Sequence, residues 1–374
     1  MDAVAAPLLI AGGAVLTPEG LVVTDLLAVD GTVVAIGPLD PKALDDVTVL
    51  DATGTLVAPG LLDLQCNGGF GIDLAAEPER LWDLAARLPC TGVTAWLPTI
   101  VSTPSGVIDR AVEVLAARPD GFEGAEPLGL HLEGPALNPQ RRGAHPVGLL
   151  RLPTSELIAG WSRDAGIVLV TLAPELDGGL AAVRELCSRG VVVAAGHTDA
   201  TTAEVLAAID VGVTAITHLY NGMVPFAHRE PGPVGVALAD ARVVAGVIAD
   251  GVHVHPVAVA SAFAALGPER LLLVTDAVAP MGLPDAPDAA RLADGTLAGS
   301  TLTLDRAIAN LVDFSGCSPV DAVGCASSVP ARLLGLADRG TLAVGSRADV
   351  VLLDDHLRTV ATVVAGRPLH PAAP

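Results

Sequence analysis

Lysine is almost missing from this chain of 374 residues: Lys42 stands alone, in the Pro/Asp-rich turn LDPKALDD. Schiff-base catalysis, a phosphate-gripping P-loop and a carbamylated lysine bridging two metals all need a lysine at the active site, so its scarcity argues against all three. Cysteine is sparse as well. Cys66, Cys90, Cys187, Cys317 and Cys325 are odd in number and scattered, with no CxxC spacing. That pattern argues against a disulfide framework or a structural zinc ribbon and fits a reducing compartment. No run of about 18 uncharged apolar residues occurs, and the opening MDAVAAPLLIAGGAVLTPEG has no basic segment, so the chain reads as soluble, unexported and cytoplasmic. Basic charge is the last deficit: 21 Lys and Arg stand against 42 Asp and Glu, a net charge of −21. Such a surface repels polyanions, so nucleic acid and anionic membranes are not expected partners. An anionic small molecule would need a local pocket of Arg or His.

What is present is apolar. Hydrophobic residues make up 51% of the chain, enough for a large buried core. Eight short apolar runs recur at 61–67, 93–100, 128–135, 167–175, 191–198, 215–221, 243–251 and 271–278. Most are apolar throughout rather than alternating, as strands covered on both faces are. Segments with helical spacing lie between them, such as 179–190, 201–212 and 255–267, each closed by a glycine. Repeated strand–helix units predict a parallel sheet, and eight of them predict a closed (β/α)8 barrel over residues 59–344. Helices are also expected at 304–314 and 318–334. Residues 1–58 and 345–374 instead alternate short strand-like runs with turns, including the hairpin signal Asp30-Gly31. The two ends are expected to pair into a small β-sandwich beside the barrel. The Pro/Asp/Gly-rich stretch 279–300 reads as a mobile loop near the barrel mouth.

Groups able to bind metal or move protons fall at or just beyond the ends of these runs: Glu133 in LGLHLEG, His197 in AAGHT, His218 in THLYN, His253 in ADGVH and Asp276 in VTDA. A parallel barrel brings the carboxyl ends of its strands to one mouth, so these groups are expected to converge. One carboxylate and two imidazoles (Glu133, His197, His218) make a recurrent catalytic zinc set, also used by non-haem iron. A single strand-end histidine reads more simply as a hydrogen-bonding residue; three such groups at successive strand ends favour a metal. Asp276, ionised at neutral pH, is the natural general base. Gln65 and Asn67 stand where many metal-dependent barrels carry an HxH pair, and neutral amides are poor ligands beside imidazole, so one tightly held ion is expected. Cys66 between them reads as a buried structural thiol and His131 as a weaker ligand candidate. His145, Arg229 and His253, with Asn221 and Gly222, could form a polar, partly cationic rim suited to a sugar phosphate.

Taken in order, APGLLDLQCNGG, GLHLEGPALNPQRRGAHP, AAGHTDA, THLYNGM, HREPG, ADGVHV, VTDA and LAGS, with GSRADVVLLD near the end, resemble the amidohydrolase superfamily. Within it they resemble the family of N-acetylglucosamine-6-phosphate deacetylases. The resemblance implies a metal-dependent hydrolase of amino-sugar catabolism, converting N-acetyl-D-glucosamine 6-phosphate to D-glucosamine 6-phosphate and acetate. It implies one divalent ion per subunit on Glu133, His197 and His218, zinc first and iron or another divalent metal as alternatives. Asp276 would be the acid/base, and His145 would help polarise the acetyl carbonyl. Ala144, Asn221, Gly222, Arg229, His253, Leu297, Ala298 and Gly299 would line the sugar-phosphate site. A homodimer is implied, with Arg229 and His253 near a neighbouring subunit's site, and Gln65 and Asn67 as remnants of a second metal position. The alternative reading is another single-metal amidohydrolase acting on a different N-acetylated sugar phosphate or an N-acyl amino acid.

Overall fold

The computed structural model describes residues 7–44 and 46–371. Eight parallel strands make the ring: β1 (Leu61–Cys66), β2 (Val93–Ile100), β3 (Leu130–Glu133), β4 (Ile167–Leu172), β5 (Val192–Ala195), β6 (Val213–Ile216), β7 (Val244–Val247) and β8 (Leu271–Leu273). Each pairs in parallel with the next, from β1 round to β8. Every residue of β1, β2, β3, β4 and β8 is buried, because helices cover the outside while side chains fill the inside. This two-sided burial is why the runs show no polar alternation. The barrel expected from the eight runs is the fold.

Apart from β2, the strands are shorter than the apolar runs, and the difference shapes the mouth. Extended backbone stops at Ala195, Ile216 and Leu273, and the chain then turns to positive φ at His197 (47°), His218 (27°) and Asp276 (49°). For side chains bearing a Cβ such conformations cost on the order of 1–3 kcal/mol each, so the surrounding contacts must hold them.

The helices follow local signals. Thr202–Asp210 opens on a capping box, in which Thr201 accepts from the Glu204 backbone and the Glu204 carboxylate accepts from Thr201 N. In Pro256–Leu266 the His255 side chain caps the first turn, and in Leu304–Ser315 Gly316 ends the helix in the left-handed conformation. The helix expected over 318–334 is instead two, Pro319–Ala326 and Ser328–Leu334, broken at Ser327 (φ −134°, ψ −72°). Pro330 explains the break: it has no N–H to give and its ring would crowd the carbonyl four residues earlier.

The terminal segments form one eight-stranded sheet. Its path runs Arg367–Pro371, Thr359–Val364, Val350–Leu353, Leu56–Pro59, Leu8–Thr17, Gly20–Val29, Thr32–Gly37, with Thr48–Asp51 also pairing with Leu8–Thr17. The two chain ends meet where Leu56–Pro59 pairs antiparallel with Val350–Leu353. Asp30 and Gly31, both at positive φ, make the tight turn between paired Val29 and Thr32. Ile10, Val15, Leu26, Val57, Val350 and Val363 build this sheet's own core. Within 279–300, Ala289–Arg291 and Leu297–Ser300 form a hairpin, bridged to the barrel between Ala277 and Ser300. Among the described residues no helix is long and apolar enough to cross a membrane.

A buried ion pair ties the sheet to the segment that follows the last barrel helix. Asp349 accepts from Arg339, from Arg347 Nε (3.2 Å) and from Ala365 N (2.8 Å), and the Asp349 and Arg339 side chains are only 5% and 7% exposed. Removing the carboxylate strands a buried guanidinium. Asp349→Ala is therefore expected to lower unfolding stability by about 3–5 kcal/mol in denaturant titration, whereas a change under about 1 kcal/mol would show the pair to be well solvated.

Candidate active site

The end of β3 and the turns after β5 and β6 deliver Glu133, His197 and His218 to one point. His218 Nε2 lies 2.8 Å and His197 Nε2 3.2 Å from the same oxygen, Glu133 Oε1, and the two ring nitrogens are 3.0 Å apart. All three residues are buried, and their potential ligand atoms lie within 4.8 Å of one another. Two imidazole nitrogens facing each other over one carboxylate oxygen suit a shared cation better than a hydrogen-bond network, because imidazole lone pairs aimed at one point repel. His197 is also in the right tautomer: its Nδ1–H donates to Arg141 O (2.8 Å), which leaves the Nε2 lone pair facing the cluster. His218 Nδ1 has no partner among the described residues. Electrostatics agree. Burial pushes the Glu133 carboxyl up, but the adjoining His197 and His218 imidazoles outweigh it and hold the group well below its ordinary range. Burial pulls the His218 imidazole down, and contact with Glu133 more than offsets it. The pocket rewards positive charge beside Glu133, and this donor set fits one divalent ion of the zinc or iron type.

Asp276 sits across from Glu133. Asn67 Nδ2 donates to its Oδ1 at 2.7 Å and Gln65 Nε2 at 3.3 Å, while the same Gln65 nitrogen lies 3.1 Å from Glu133 Oε1. Gln65 thus bridges the two carboxylates and Asn67 supports Asp276, so both amides donate to a carboxylate rather than pointing lone pairs at a cation. Burial, then repulsion from Glu133, pushes the Asp276 carboxyl up to about 6. At neutral pH it is ionised and able to take a proton.

His145 approaches from the loop after β3. Ser102 N donates to its Nδ1 (3.3 Å), and Ser102 Oγ lies 2.9 Å from the same atom. A nitrogen that accepts from a backbone N–H carries no proton, so the ring proton sits on Nε2, 3.9 Å from Glu133 Oε2. Burial, then the neighbouring His197, lowers this imidazole to about 3, so His145 is a neutral donor aimed into the site.

Glu133, His145, His197, His218 and Asp276 share a cavity of about 390 Å3 with Asn67, Ala144, Asn221, Gly222, His253, Leu297, Ala298 and Gly299. Arg229 is exposed and does not line it. His253 lines it with Nδ1 held by Asp250 Oδ2 at 2.6 Å. His131 stands apart from the cluster: its ring nitrogens are taken by Leu64 O (3.0 Å) and Thr171 Oγ1 (2.8 Å), and burial lowers its imidazole to about 4. Cys66 is buried, and burial raises its thiol well above the ordinary range, as an inert structural cysteine requires.

Several contributors escaped sequence reasoning. Asp73 and Ala75 reach the cavity through the small hairpin of Gly68–Gly69 with Ile72–Asp73, and the glycines that follow β1 were its only signal. Ser102 orients His145. Glu175 accepts from Asn138 Nδ2 (2.9 Å), Asp199 N (2.7 Å) and Thr198 Oγ1 (2.5 Å), fastening the loop that holds His197. Nothing in the spacing of Ser102 or Glu175 marks them.

Gly222 packs directly on the His197 ring: a Cβ there would lie 2.7 Å from Nδ1, and φ is +58°. Gly222→Ala is expected to displace the imidazole and weaken ion retention by about 10- to 100-fold, read by metal analysis after dialysis against graded chelator. Retention equal to that of the unaltered protein would show that the ring has room to move.

Known proteins resemble this chain along most of its length. The N-acetylglucosamine-6-phosphate deacetylase of Danio rerio is 39% identical over 345 residues, 85% of each chain. The N-acetylgalactosamine-6-phosphate deacetylase of Escherichia coli O157:H7 is 39% identical over 371 residues, 94% of this chain and 96% of that protein. A solved N-acetyl-D-glucosamine-6-phosphate deacetylase variant from Mycobacterium smegmatis, in complex with N-acetyl-D-glucosamine-6-phosphate, superposes with a TM-score of 0.87 at 37% identity, covering 98% of this chain and all of that one. With residues 56–369 matching its pattern as well, the chain belongs to the amidohydrolase family.

Proposed function

We propose that the cavity hydrolyses the acetamide of an N-acetylated hexosamine 6-phosphate, N-acetyl-D-glucosamine 6-phosphate first, releasing D-glucosamine 6-phosphate and acetate. The observation that carries this reading is the opposition, within one cavity, of a Glu–His–His cluster fit for a divalent ion, an ionised Asp276 and a neutral His145 with its proton directed inward. The names of the relatives supply the substrate class. Glu133, His197 and His218 would hold the ion, zinc by its donor set and iron as the alternative, which would supply Lewis acidity.

The chain's own groups do the rest. Asp276, fixed by Asn67 and Gln65, takes a proton from water as its oxygen bonds to the acetyl carbon. His145 donates from Nε2 to the carbonyl oxygen as it gains charge. When the C–N bond breaks, Asp276 returns its proton to the C2 nitrogen, which leaves as the amine. The described residues lining the cavity include no lysine or arginine. His253, held through Nδ1 by Asp250, and the Asn221-Gly222 turn serve the phosphate. Arg229, exposed on the segment after that turn, suits the site of a second subunit in a homodimer. With five free cysteines among the described residues, the enzyme is assigned to the reducing cytoplasm.

The Escherichia coli relative supports a second substrate, the C4 epimer. Acetate release from the glucosamine and galactosamine phosphates, and from unphosphorylated N-acetylglucosamine, separates the readings. Turnover confined to phosphorylated sugars is expected, and equal turnover of the neutral sugar would remove the phosphate from the proposal. Asp276→Asn should keep its ion and lower kcat by about 10^2- to 10^4-fold; near-normal kcat would refute the role of Asp276. Because only the ionised carboxylate accepts a proton, kcat should fall with decreasing pH, with its acid limb at or below about pH 6 since a bound cation draws the Asp276 carboxyl down. An acid limb centred above pH 7 would point to a different base.

A further inference from the structure

The barrel has one weak seam. Seven junctions between neighbouring strands are paired ladders, but among the described residues β8 meets β1 without one. The two are joined past the end of β8, by the bridge between Cys66 and Ala277, by Asp276 N donating to Gln65 O at 2.8 Å, and by Asn67 N and Gly68 N donating to Ala277 O at 2.8 and 3.0 Å. Below this closure lies Asp63, a carboxylate in the middle of β1 that is 2% exposed and makes no ion pair among the described residues. Its Oδ2 accepts from Thr275 Oγ1 at 2.5 Å, and its Oδ1 accepts from Thr275 N at 3.3 Å and Gln65 N at 3.2 Å. The side chain thus supplies across the seam the acceptors that a strand ladder would have provided. A buried carboxylate with no cation is costly, and an apolar residue would fill the space more cheaply.

What Asp63 grips is informative. Thr275 immediately precedes Asp276, which holds a strained positive φ, and Gln65 is the residue whose amide touches both Asp276 and Glu133. Thr275 Oγ1 also accepts from Ala277 N (3.1 Å), so the backbone on both sides of Asp276 is tied to this one hydroxyl and carboxylate. We propose that Asp63 is a positioning residue for the proton-transfer step: by clamping Thr275 and Gln65 across the unladdered seam, it sets the place of the Asp276 carboxylate. This rests on the reading of Asp276 as the acid/base group.

The test compares Asp63→Ala, Asp63→Asn and Thr275→Val in the full-length, metal-loaded protein, with Asp276→Asn in parallel. Asp63→Ala is expected to lower kcat about 10- to 100-fold with KM and metal content little changed, since sub-ångström displacement of a reacting group costs rate rather than binding. Asp63→Asn should restore most of the loss: its carbonyl oxygen accepts from both backbone N–H groups, and its amide can donate to Thr275 Oγ1, whose hydroxyl then turns to Gln65 O, 3.2 Å away. Thr275→Val removes the same contact from the other side. It should lower kcat in the same sense, and its effect should not add to that of Asp63→Ala. If Asp63→Ala does not fold, Thr275→Val alone decides. Unchanged kcat in Thr275→Val, or loss of metal and KM together with kcat in Asp63→Ala, overturns the proposal. If Asp276→Asn itself retains turnover, the acid/base assignment has failed instead.

Discussion

Two carboxylates in the barrel mouth, with no lysine or arginine among the described residues lining their cavity, set the terms for everything around them. Glu133 and Asp276 repel each other, and burial disfavours the charge on both. An isolated buried charge of this kind is too costly to persist, so each must be compensated by a partner. For Glu133 the partners are two imidazoles, and a pocket so arranged attracts a cation. Asp276 has neutral amide donors, which steady the charge without quenching it, and its carboxyl remains ionised at neutral pH while staying a competent proton acceptor. The different partners give the two carboxylates different chemistry within one cavity.

Holding that arrangement is a backbone problem. His197, His218 and Asp276 all sit at positive φ just beyond their strands, and each is over-determined by contacts from elsewhere. Arg141 O and the close face of Gly222 confine the His197 ring, and Glu175 staples the loops on either side of it. Asn67, Gln65 and the Asp63–Thr275 contact do the same for Asp276. Strain at the mouth is thus supported by a ring whose strands are buried on both faces, a rigid frame on which small misplacements are resisted. Where neighbouring strands lack a ladder among the described residues, between β8 and β1, the Asp63 side chain bonds across the gap to Thr275.

The acidity of the chain takes on meaning in this light. With a net charge of −21, the surface as a whole disfavours an anionic substrate. The cavity reverses that locally with histidines and a site for a divalent cation, so the capture of a sugar phosphate depends on a few placed groups and not on the long-range field. The exposed Arg229 lies outside its own cavity, which is why the proposed function looks to a second subunit for the missing cation.

Much of this was legible in the linear chain. Unbroken apolar runs identified the eight strands, since burial on both faces leaves no room for polar alternation, and strand-end placement singled out Glu133, His197, His218 and Asp276, because a parallel barrel converges there whatever its loops do. The Asp30-Gly31 turn and the glycine helix stops are likewise local chemistry, and sequence determines them outright. The break at Ser327 was readable too, in Pro330, though the helical spacing hid it. Only the tertiary structure decided the tautomers of His145 and His197, the turning of Gln65 and Asn67 toward two carboxylates, the clasp of Glu175 and the clamp of Asp63. Each depends on atoms from strands far apart in sequence: Asp63 and Thr275, for example, meet only because the ring closes. Periodicity reports which face a residue occupies, but which atom it meets there is set by the register and closure of the whole barrel.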